Sequence, residues 1–120
     1  MSDDPRHSLG RLGERLAAEH FERLGYRVVA RNYRTRFGEL DLGVTDDEVL
    51  VFCEVKTRRS GSPWQNLGEA KRRQVRSMGR AWLADARDRP RTSELRFDAI
   101  GIVIDRAGAL VSLDHLEGAF

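Results

Sequence analysis

The sequence contains few of the residues that build cross-linked, membrane-spanning or cysteine-ligated proteins. Its 120 residues include one cysteine, three prolines and two tryptophans. A single cysteine excludes a disulfide framework within one chain, so Cys53 is expected to be a small buried hydrophobic residue. No apolar run approaches the roughly 20 residues of a membrane span, and the polar, acidic start of the chain does not resemble a signal peptide. A cytoplasmic protein without a membrane partner is therefore expected.

Several catalytic motifs are also absent. The sequence has no phosphate-binding glycine loop, no zinc-ligand spacing and no combination of serine, histidine and aspartate typical of a hydrolase. His20 falls on the apolar face of a predicted helix, where a packed histidine is expected, and His7 and His115 have no companions in the pattern. These absences exclude most rival classes of enzyme.

The hydrophobic pattern predicts one α/β domain over residues 1–120, with a flexible tail over residues 1–7. The composition, 40% hydrophobic and 33% charged, is typical of a folded globular domain. Helices are expected where leucine recurs at helical spacing, and strands where valine-rich segments alternate with polar residues. The predicted elements are a helix over 8–24, strands over 26–34, 38–44 and 49–56, a helix over 67–86, and strands over 95–104 and 109–116.

The charges are distributed unevenly along the chain. Residues 56–96 carry 12 basic and 4 acidic side chains, a net charge of +8, whereas the segments before and after carry a net charge of −3 each. This asymmetry favours a polyanion as the partner of the basic segment and a cation, such as a metal ion, as the partner of the acidic part. The alternative is a basic helix that is simply solvated.

Two predicted strands place charged side chains at alternate positions among apolar ones. Glu39 and Asp41 share one face of the second strand, and Glu54 and Lys56 share one face of the third. Burying an unpaired charge costs several kcal/mol, so these groups need partners. A four-residue turn would place Asp41 diagonally across from Glu54, at about 7 Å between backbones. The pairs predicted by that turn are Val44 with Val49, Asp41 with Phe52, and Glu39 with Glu54.

The converging charges have two interpretations. Two carboxylates directed at one point repel unless a cation lies between them, and oxygen ligands select a hard ion such as Mg²⁺ or Mn²⁺. Lys56 would then add a positive charge that orients a water molecule or stabilises charge on a phosphate. The alternative is a salt-bridge network of Glu39, Glu54, Lys56 and a neighbouring arginine.

These motifs resemble those of the PD-(D/E)XK nuclease superfamily, in which an acid on one strand precedes acid-x-lysine on the next. More closely, the chain is similar to the YraN-type family of small bacterial proteins, which is itself similar to archaeal Holliday junction resolvases. The proline that opens the superfamily motif is replaced by Leu40. The matching stretches are Gly13-Glu14, Gly25-Tyr26, Asn32-Tyr33-Arg34, Gly38 to Leu42, Val51 to Arg58, Lys71, Arg96-Phe97-Asp98 and Ala119-Phe120.

The resemblance implies a fold, an activity and a cofactor. The fold is a restriction-endonuclease-like core of order α-β-β-β-α-β-β, with a mixed sheet flanked by two helices. The activity is that of a metal-dependent endonuclease that binds DNA, branched or damaged, and hydrolyses phosphodiester bonds with Mg²⁺ or Mn²⁺. Similar resolvases act as dimers, so a homodimer is expected. The alternatives are a non-catalytic nucleic-acid-binding module and an adaptor that binds another protein through its basic helix.

The resemblance also assigns roles to charged residues. Asp41 and Glu54, with the backbone carbonyl of Val55, would hold the metal, Glu14 would assist directly or through water, and Lys56 would be the catalytic lysine. Small neighbours on the first helix would let Glu14 approach the sheet, although a solvent-facing acid in the first turn is the alternative. The remaining site residues are supporting ones: Glu39, and Lys71, which either reaches the acidic site or extends along the core surface.

Arginines on one face of the second helix offer contacts to phosphates that do not depend on sequence. Arg87 is predicted to continue that face. Trp64, in the loop before the helix, either stacks on an unpaired base or caps the sheet, and Asp98 is expected to form a structural salt bridge. The predicted nucleic-acid-binding residues are Arg58, Arg59, Arg72, Arg73, Arg76 and Arg80.

Overall fold

The structure is a computed structural model that describes residues 5–64 and 67–120, with side chains from residue 8 onward. Within these residues the chain forms two helices and five strands in the predicted order, and each bound lies within three residues of its predicted position. Residues 1–4 of the predicted tail lie outside the described residues. The elements are α1 (Pro5–Arg23), β1 (Arg27–Thr35), β2 (Gly38–Thr45), β3 (Val49–Arg58), α2 (Glu69–Asp85), β4 (Glu94–Ile104) and β5 (Leu110–Leu116).

The five strands form one mixed sheet in the order β1-β2-β3-β4-β5. Neighbouring strands are antiparallel except β3 and β4, which are parallel and are connected by α2. Alternate residues of β3 face different helices: Cys53 lies in a core with Ala17 of α1, and Phe52 lies in a core with Val75 of α2. The predicted restriction-endonuclease-like core, a mixed sheet flanked by two helices, is therefore confirmed, and so is the burial of Cys53. Neither described helix is long and apolar enough to cross a membrane.

The predicted register between β2 and β3 is wrong by two residues. Val44 pairs with Val51 and not with Val49. The turn has the predicted four residues, but it spans 46–49 and not 45–48, because its own side chains form hydrogen bonds there. The Thr45 hydroxyl donates to the Val49 carbonyl at 2.8 Å, and the Asp46 carboxylate accepts a hydrogen bond from the Val49 amide at 2.9 Å.

This shift changes which acids face one another across the two strands. A displacement of two residues keeps every side chain on its predicted face, because side chains alternate with period two. The pairing runs as far as Leu42 with Cys53, and beyond it Glu54 lies close enough to Asp41 for its charge to raise the pKa of Asp41. In this register Glu54 does not lie opposite Glu39, so the predicted pairing of Glu39 with Glu54 is wrong.

A buried polar network is centred on Asp98 of β4. Asp98 is fully buried and accepts hydrogen bonds from the Arg96 guanidinium at 2.8 and 2.9 Å and from the Gly118 amide at 2.9 Å. The His115 ring lies 2.7 Å from Asp98 and 3.1 Å from the ring of His20. Burial would raise the pKa of Asp98, but these hydrogen bonds outweigh it and lower the pKa. The structural salt bridge of Asp98 is confirmed, whereas the prediction that His115 has no companions is wrong, because strand pairing brings β5 beside β4.

Candidate active site

The predicted site residues meet where the pairing of β2 with β3 ends. Four elements contribute to the site. Strands β2 and β3 and helix α2 pack together in the core that contains Phe52 and Val75, and α1 approaches from the other face of the sheet. The converging side chains are Glu14 from α1, Glu39 and Asp41 from β2, Glu54 and Lys56 from β3, and Lys71 from α2.

Gly13 brings α1 close enough for Glu14 to reach the cluster. A Cβ atom at Gly13 would lie 1.8 Å from the Thr57 hydroxyl oxygen, so only glycine permits this contact between α1 and β3. Gly10, one turn earlier, has no atom within 4 Å of the corresponding position. Of the two glycines, Gly13 makes the close approach and Gly10 does not, while Ala17 and Ala18 are buried in the core on the same side of the sheet. Glu14 follows Gly13 directly and lies near the acids of β2.

Asp41 is the most perturbed acid of the cluster. Burial, followed by the negative charges of Glu54 and Glu14, raises its pKa to about 8. The Val55 amide donates a hydrogen bond of 2.9 Å to its Oδ2, which opposes the rise without cancelling it. The carboxyl groups of Asp41 and Glu54 also share a hydrogen bond. Near neutral pH the two carboxyl groups therefore retain a proton between them. A bound cation could replace that proton, because it would compensate the same negative charge.

Glu14 and Glu39 complete a compact group of carboxylates. One oxygen each of Glu14, Glu39 and Asp41 lies within 4.8 Å of the other two. Burial raises the pKa of Glu14, and the charges of Glu39 and Glu54 add to the rise, while a hydrogen bond from Asn32 opposes it. Acids held this close repel one another, and the repulsion is relieved by protons or by a cation.

Two lysines neutralise Glu54. The Lys71 ammonium lies 2.7 Å from Oε1 of Glu54, and the Lys56 ammonium lies 3.4 Å from the same oxygen. The Glu54 side chain is only 7% exposed, so it needs such partners. Of the two roles that the sequence left open for Lys71, the structure shows the one in which it reaches the acidic site.

Asn32 belongs to the cluster, although the residue pattern did not identify it. Its side-chain amide donates to Glu14 and, at 3.0 Å, to Glu39. The backbone of Asn32 has φ of 47°, a left-handed conformation that asparagine tolerates better than most residues. The available signals were an asparagine inside an otherwise apolar and basic strand and the Asn32-Tyr33-Arg34 motif.

The donor set fits a hard divalent cation. All candidate ligands are oxygens and the acids come from three separate elements, and in the described structure the repulsion among them is opposed by the two lysines and by hydrogen bonds from Asn32 and the Val55 amide. Oxygen-rich sites of this kind bind Mg²⁺ or Mn²⁺. Asp41 and Glu54 would hold the ion with help from Glu14, and the Val55 amide donates a hydrogen bond to Asp41.

The predicted nucleic-acid-binding arginines differ in how they are held. Arg72, Arg73 and Arg80 are exposed on α2. Arg76 is half-buried: it donates to the Phe120 carbonyl at 2.8 Å, and its guanidinium carbon lies 4.9 Å from the centre of the Phe97 ring. In the loop after β3, Arg59 donates to the Asp105 carbonyl at 2.9 Å, and Arg58 is half-buried. The prediction for Arg87 as part of the helical face is wrong, because α2 ends at Asp85.

Trp64 forms the capping contact that the sequence left open. A side chain at Gly101 would meet Pro63 within 2.6 Å and the Trp64 ring within 2.9 Å, so both residues lie directly over that glycine. Trp64 also packs against the core on the α2 side. Its ring therefore covers β4.

Known proteins similar to this chain cover almost its whole length. The model of the uncharacterised protein family UPF0102 matches residues 13–102. A UPF0102 protein of Acidothermus cellulolyticus is 40% identical over 126 residues, which cover 96% of this chain and 95% of the relative. Those of Pelotomaculum thermopropionicum and Streptomyces griseus are 38% and 40% identical, covering 98% and 94% of this chain and 98% and 96% of the relatives.

The fold and the cluster define the class: an α/β protein with a restriction-endonuclease-like core whose sheet carries two acids, a further acid and a lysine on adjacent strands. The chain belongs to the uncharacterised protein family UPF0102, the YraN family that its motifs resemble.

Proposed function

We propose that the protein binds DNA and hydrolyses its phosphodiester bonds with Mg²⁺ or Mn²⁺ as cofactor. The observation that supports this most strongly is the convergence of four acids and two lysines from four elements, with Asp41 so poorly solvated that its pKa rises to about 8. A carboxyl group with a pKa raised this far does not stabilise the fold by being ionised. Its presence in the cluster therefore favours a role in binding a cation.

Each residue of the cluster has a role in the proposed reaction. Asp41, Glu54 and the Val55 carbonyl would hold the ion, and Glu14 would assist directly or through water. When bound, the ion supplies charge stabilisation at the phosphoryl oxygen and acidifies a water molecule. Lys56 orients the attacking water and stabilises negative charge on the phosphate. The water oxygen would bond to phosphorus as the bond to the leaving oxygen breaks. The water gives up a proton and the leaving oxygen takes one up, so the products are a phosphate monoester end and a free hydroxyl end.

The supporting residues maintain this arrangement. Asn32 holds Glu14 and Glu39 together, and Lys71 neutralises Glu54 from the start of α2. Glu39 adds negative charge beside Asp41.

The basic segment provides the complementary surface for the substrate. The exposed arginines of α2 would contact backbone phosphates, and a positively charged stripe of this kind binds nucleic acid without reading its sequence. A chain of this size offers little surface for a duplex, so two copies would share it. The proposed contacts are those of Arg58, Arg59, Arg72, Arg73, Arg76 and Arg80.

Cleavage assays test the proposal. Purified protein is incubated with branched, flapped and single-stranded DNA in Mn²⁺. The wild type is expected to cleave, whereas Asp41→Asn and Lys56→Ala are expected to lose about a hundredfold or more in rate, as expected when groups that stabilise the transition state are removed. Arg106→Ala, in the turn between β4 and β5, is the control. Cleavage that survives both site substitutions would contradict the assignment.

A second candidate is a non-catalytic nucleic-acid-binding module. It is favoured by the contacts of Lys56 and Lys71 with Glu54, because these already neutralise that carboxylate without an ion. Calorimetric titration with Mn²⁺ separates the two candidates. A nuclease should bind the ion and lose that binding in Glu54→Gln, whereas a scaffold should show no binding that depends on Glu54.

A further inference from the structure

A groove lies between the turn that joins β1 to β2 and the outer side of α2. Its volume is about 640 Å³, a size common among ligand-binding clefts. Arg36 and Phe37 form the two-residue turn between the paired residues Thr35 and Gly38. On the helix side, small residues such as Ala81 leave the groove open.

The groove carries a positive charge. Arg34, Arg36 and Arg80 line it, against one acid, Asp85. The carboxylate of Asp85 already accepts a hydrogen bond of 2.6 Å from the Tyr33 hydroxyl. Arg34 is 90% exposed and lies 4.0 Å from its nearest acid, Glu39. In the described part of the chain, Arg36 and Arg80 have no acid within 4.0 Å. An anion fits this charge distribution.

An aromatic ring lies among these arginines. Phe37 is 40% exposed, although a large apolar side chain is usually covered. The Arg36 guanidinium carbon lies 4.8 Å from the centre of the Phe37 ring. Aromatic rings beside cationic side chains are the combination on which unpaired bases stack while their phosphates are neutralised.

The turn at the edge of the groove is followed, along β2, by two acids of the acidic cluster. Phe37 precedes Glu39 by two residues, which is about 7 Å along an extended strand. Gln74 of α2 fixes the turn by donating to the Phe37 carbonyl at 2.9 Å. Gly38 permits this contact, because a Cβ there would lie 2.7 Å from the Gln74 side chain.

We propose that this groove binds the unpaired strand of a flapped or branched DNA, with a base stacked on Phe37 and phosphates held by Arg34, Arg36 and Arg80. This inference rests on the proposed function, since it names the substrate that the acidic cluster receives. In a fully paired duplex the interior bases are stacked on one another, so only the two terminal pairs can present a base face to Phe37, whereas every base of an unpaired arm can. The groove therefore distinguishes substrates with a single-stranded arm from blunt duplexes.

Fluorescence anisotropy without divalent ions tests the inference, using a blunt duplex and the same duplex with a single-stranded flap. The wild type should bind the flapped DNA more tightly than the blunt one. Phe37→Ala should weaken binding of the flapped DNA by about tenfold while leaving the blunt duplex within about twofold, and Phe37→Trp should retain flap binding. Leu110→Ala is the control, because Leu110 is 47% exposed on β5 and does not line the groove.

Three results would overturn the inference. The first is flap binding that is unchanged in Phe37→Ala, and the second is an equal loss of binding for both DNAs. The third is displacement of the flapped DNA from the wild type by a polyglutamate peptide of equal charge as effectively as by single-stranded DNA. Because no cleavage is needed, a protein that prefers flapped DNA but never cuts it would support the groove and contradict the nuclease. The reverse result would support the nuclease alone.

Discussion

At the scale of single residues, the ionised form of Asp41 that a metal ion would need destabilises the metal-free fold. Its carboxyl group is buried beside Glu54 and Glu14, and its pKa of about 8 means that the folded protein resists its ionisation. The protonated form therefore stabilises the fold most below the pKa of the unfolded chain, near 4, and this contribution is lost as pH rises toward 8. A cation bound at the site would instead favour the ionised form of Asp41.

Replacing Asp41 by asparagine should stabilise the metal-free protein as pH rises. Asparagine cannot ionise, so the free energy of unfolding of Asp41→Asn should exceed that of the wild type by on the order of 2 kcal/mol at pH 8, and by little near pH 5. Urea unfolding in a chelator, followed by tryptophan fluorescence across this pH range, measures the difference.

Asp46→Asn is the matched control with the opposite sign. Hydrogen bonds from the Val49 and Glu48 amides lower the pKa of Asp46, so its charge stabilises the turn above pH 4 and this substitution should destabilise the protein at neutral pH. A difference between Asp41→Asn and wild type that does not change with pH would show that the Asp41 carboxyl is not perturbed.

At the scale of elements, the site depends on how closely α1 approaches β3. Gly13 lies against Thr57, and the hydroxyl of Thr57 is buried without a hydrogen-bond partner in the described structure. Such close packing leaves no room for a methyl group, so the position of Glu14 follows from the absence of a side chain at its neighbour.

Gly13→Ala should therefore destabilise the fold and disturb the site. The added methyl group must displace the helix or the strand, at a cost of about 1–3 kcal/mol in the free energy of unfolding. Gly10→Ala is the matched control in the same helix: its Cβ meets no atom within 4 Å, and it should stabilise the protein by roughly 0.5–1 kcal/mol through helix propensity. Urea unfolding of both variants gives the comparison, and equal effects would contradict the close contact.

The helices and strands were predictable from the sequence, whereas the register between strands and the contacts between side chains were less so. Alternating valines identified β3, and the acid-x-lysine spacing identified Glu54 and Lys56, because strand period is a local property. The register was missed by two residues because the four-residue turn lies one position later than predicted, where Asp46 accepts hydrogen bonds that a count of residues does not reveal. Asn32 was missed because a left-handed residue within a strand departs from that period.

At the scale of the whole molecule, the topology assembles sites from distant parts of the chain. Glu14 and Lys71 meet the acids of the central strands from opposite faces of the sheet, and the antiparallel return of β5 brings His115 to Asp98. Neither meeting is visible in a local pattern, since each depends on which strands are neighbours. The family motifs anticipated the first, whereas no motif indicated the second.

The central claim is that Asp41 and Glu54 share a divalent ion, and anomalous diffraction from crystals soaked in Mn²⁺ tests it most directly. We expect one anomalous peak between the carboxylates of Asp41 and Glu54, with the Lys71 ammonium moved away from the Glu54 oxygen that it contacts at 2.7 Å. A cluster without a peak, in which Lys71 keeps that contact at saturating Mn²⁺, would show a self-satisfied ionic network and contradict the claim.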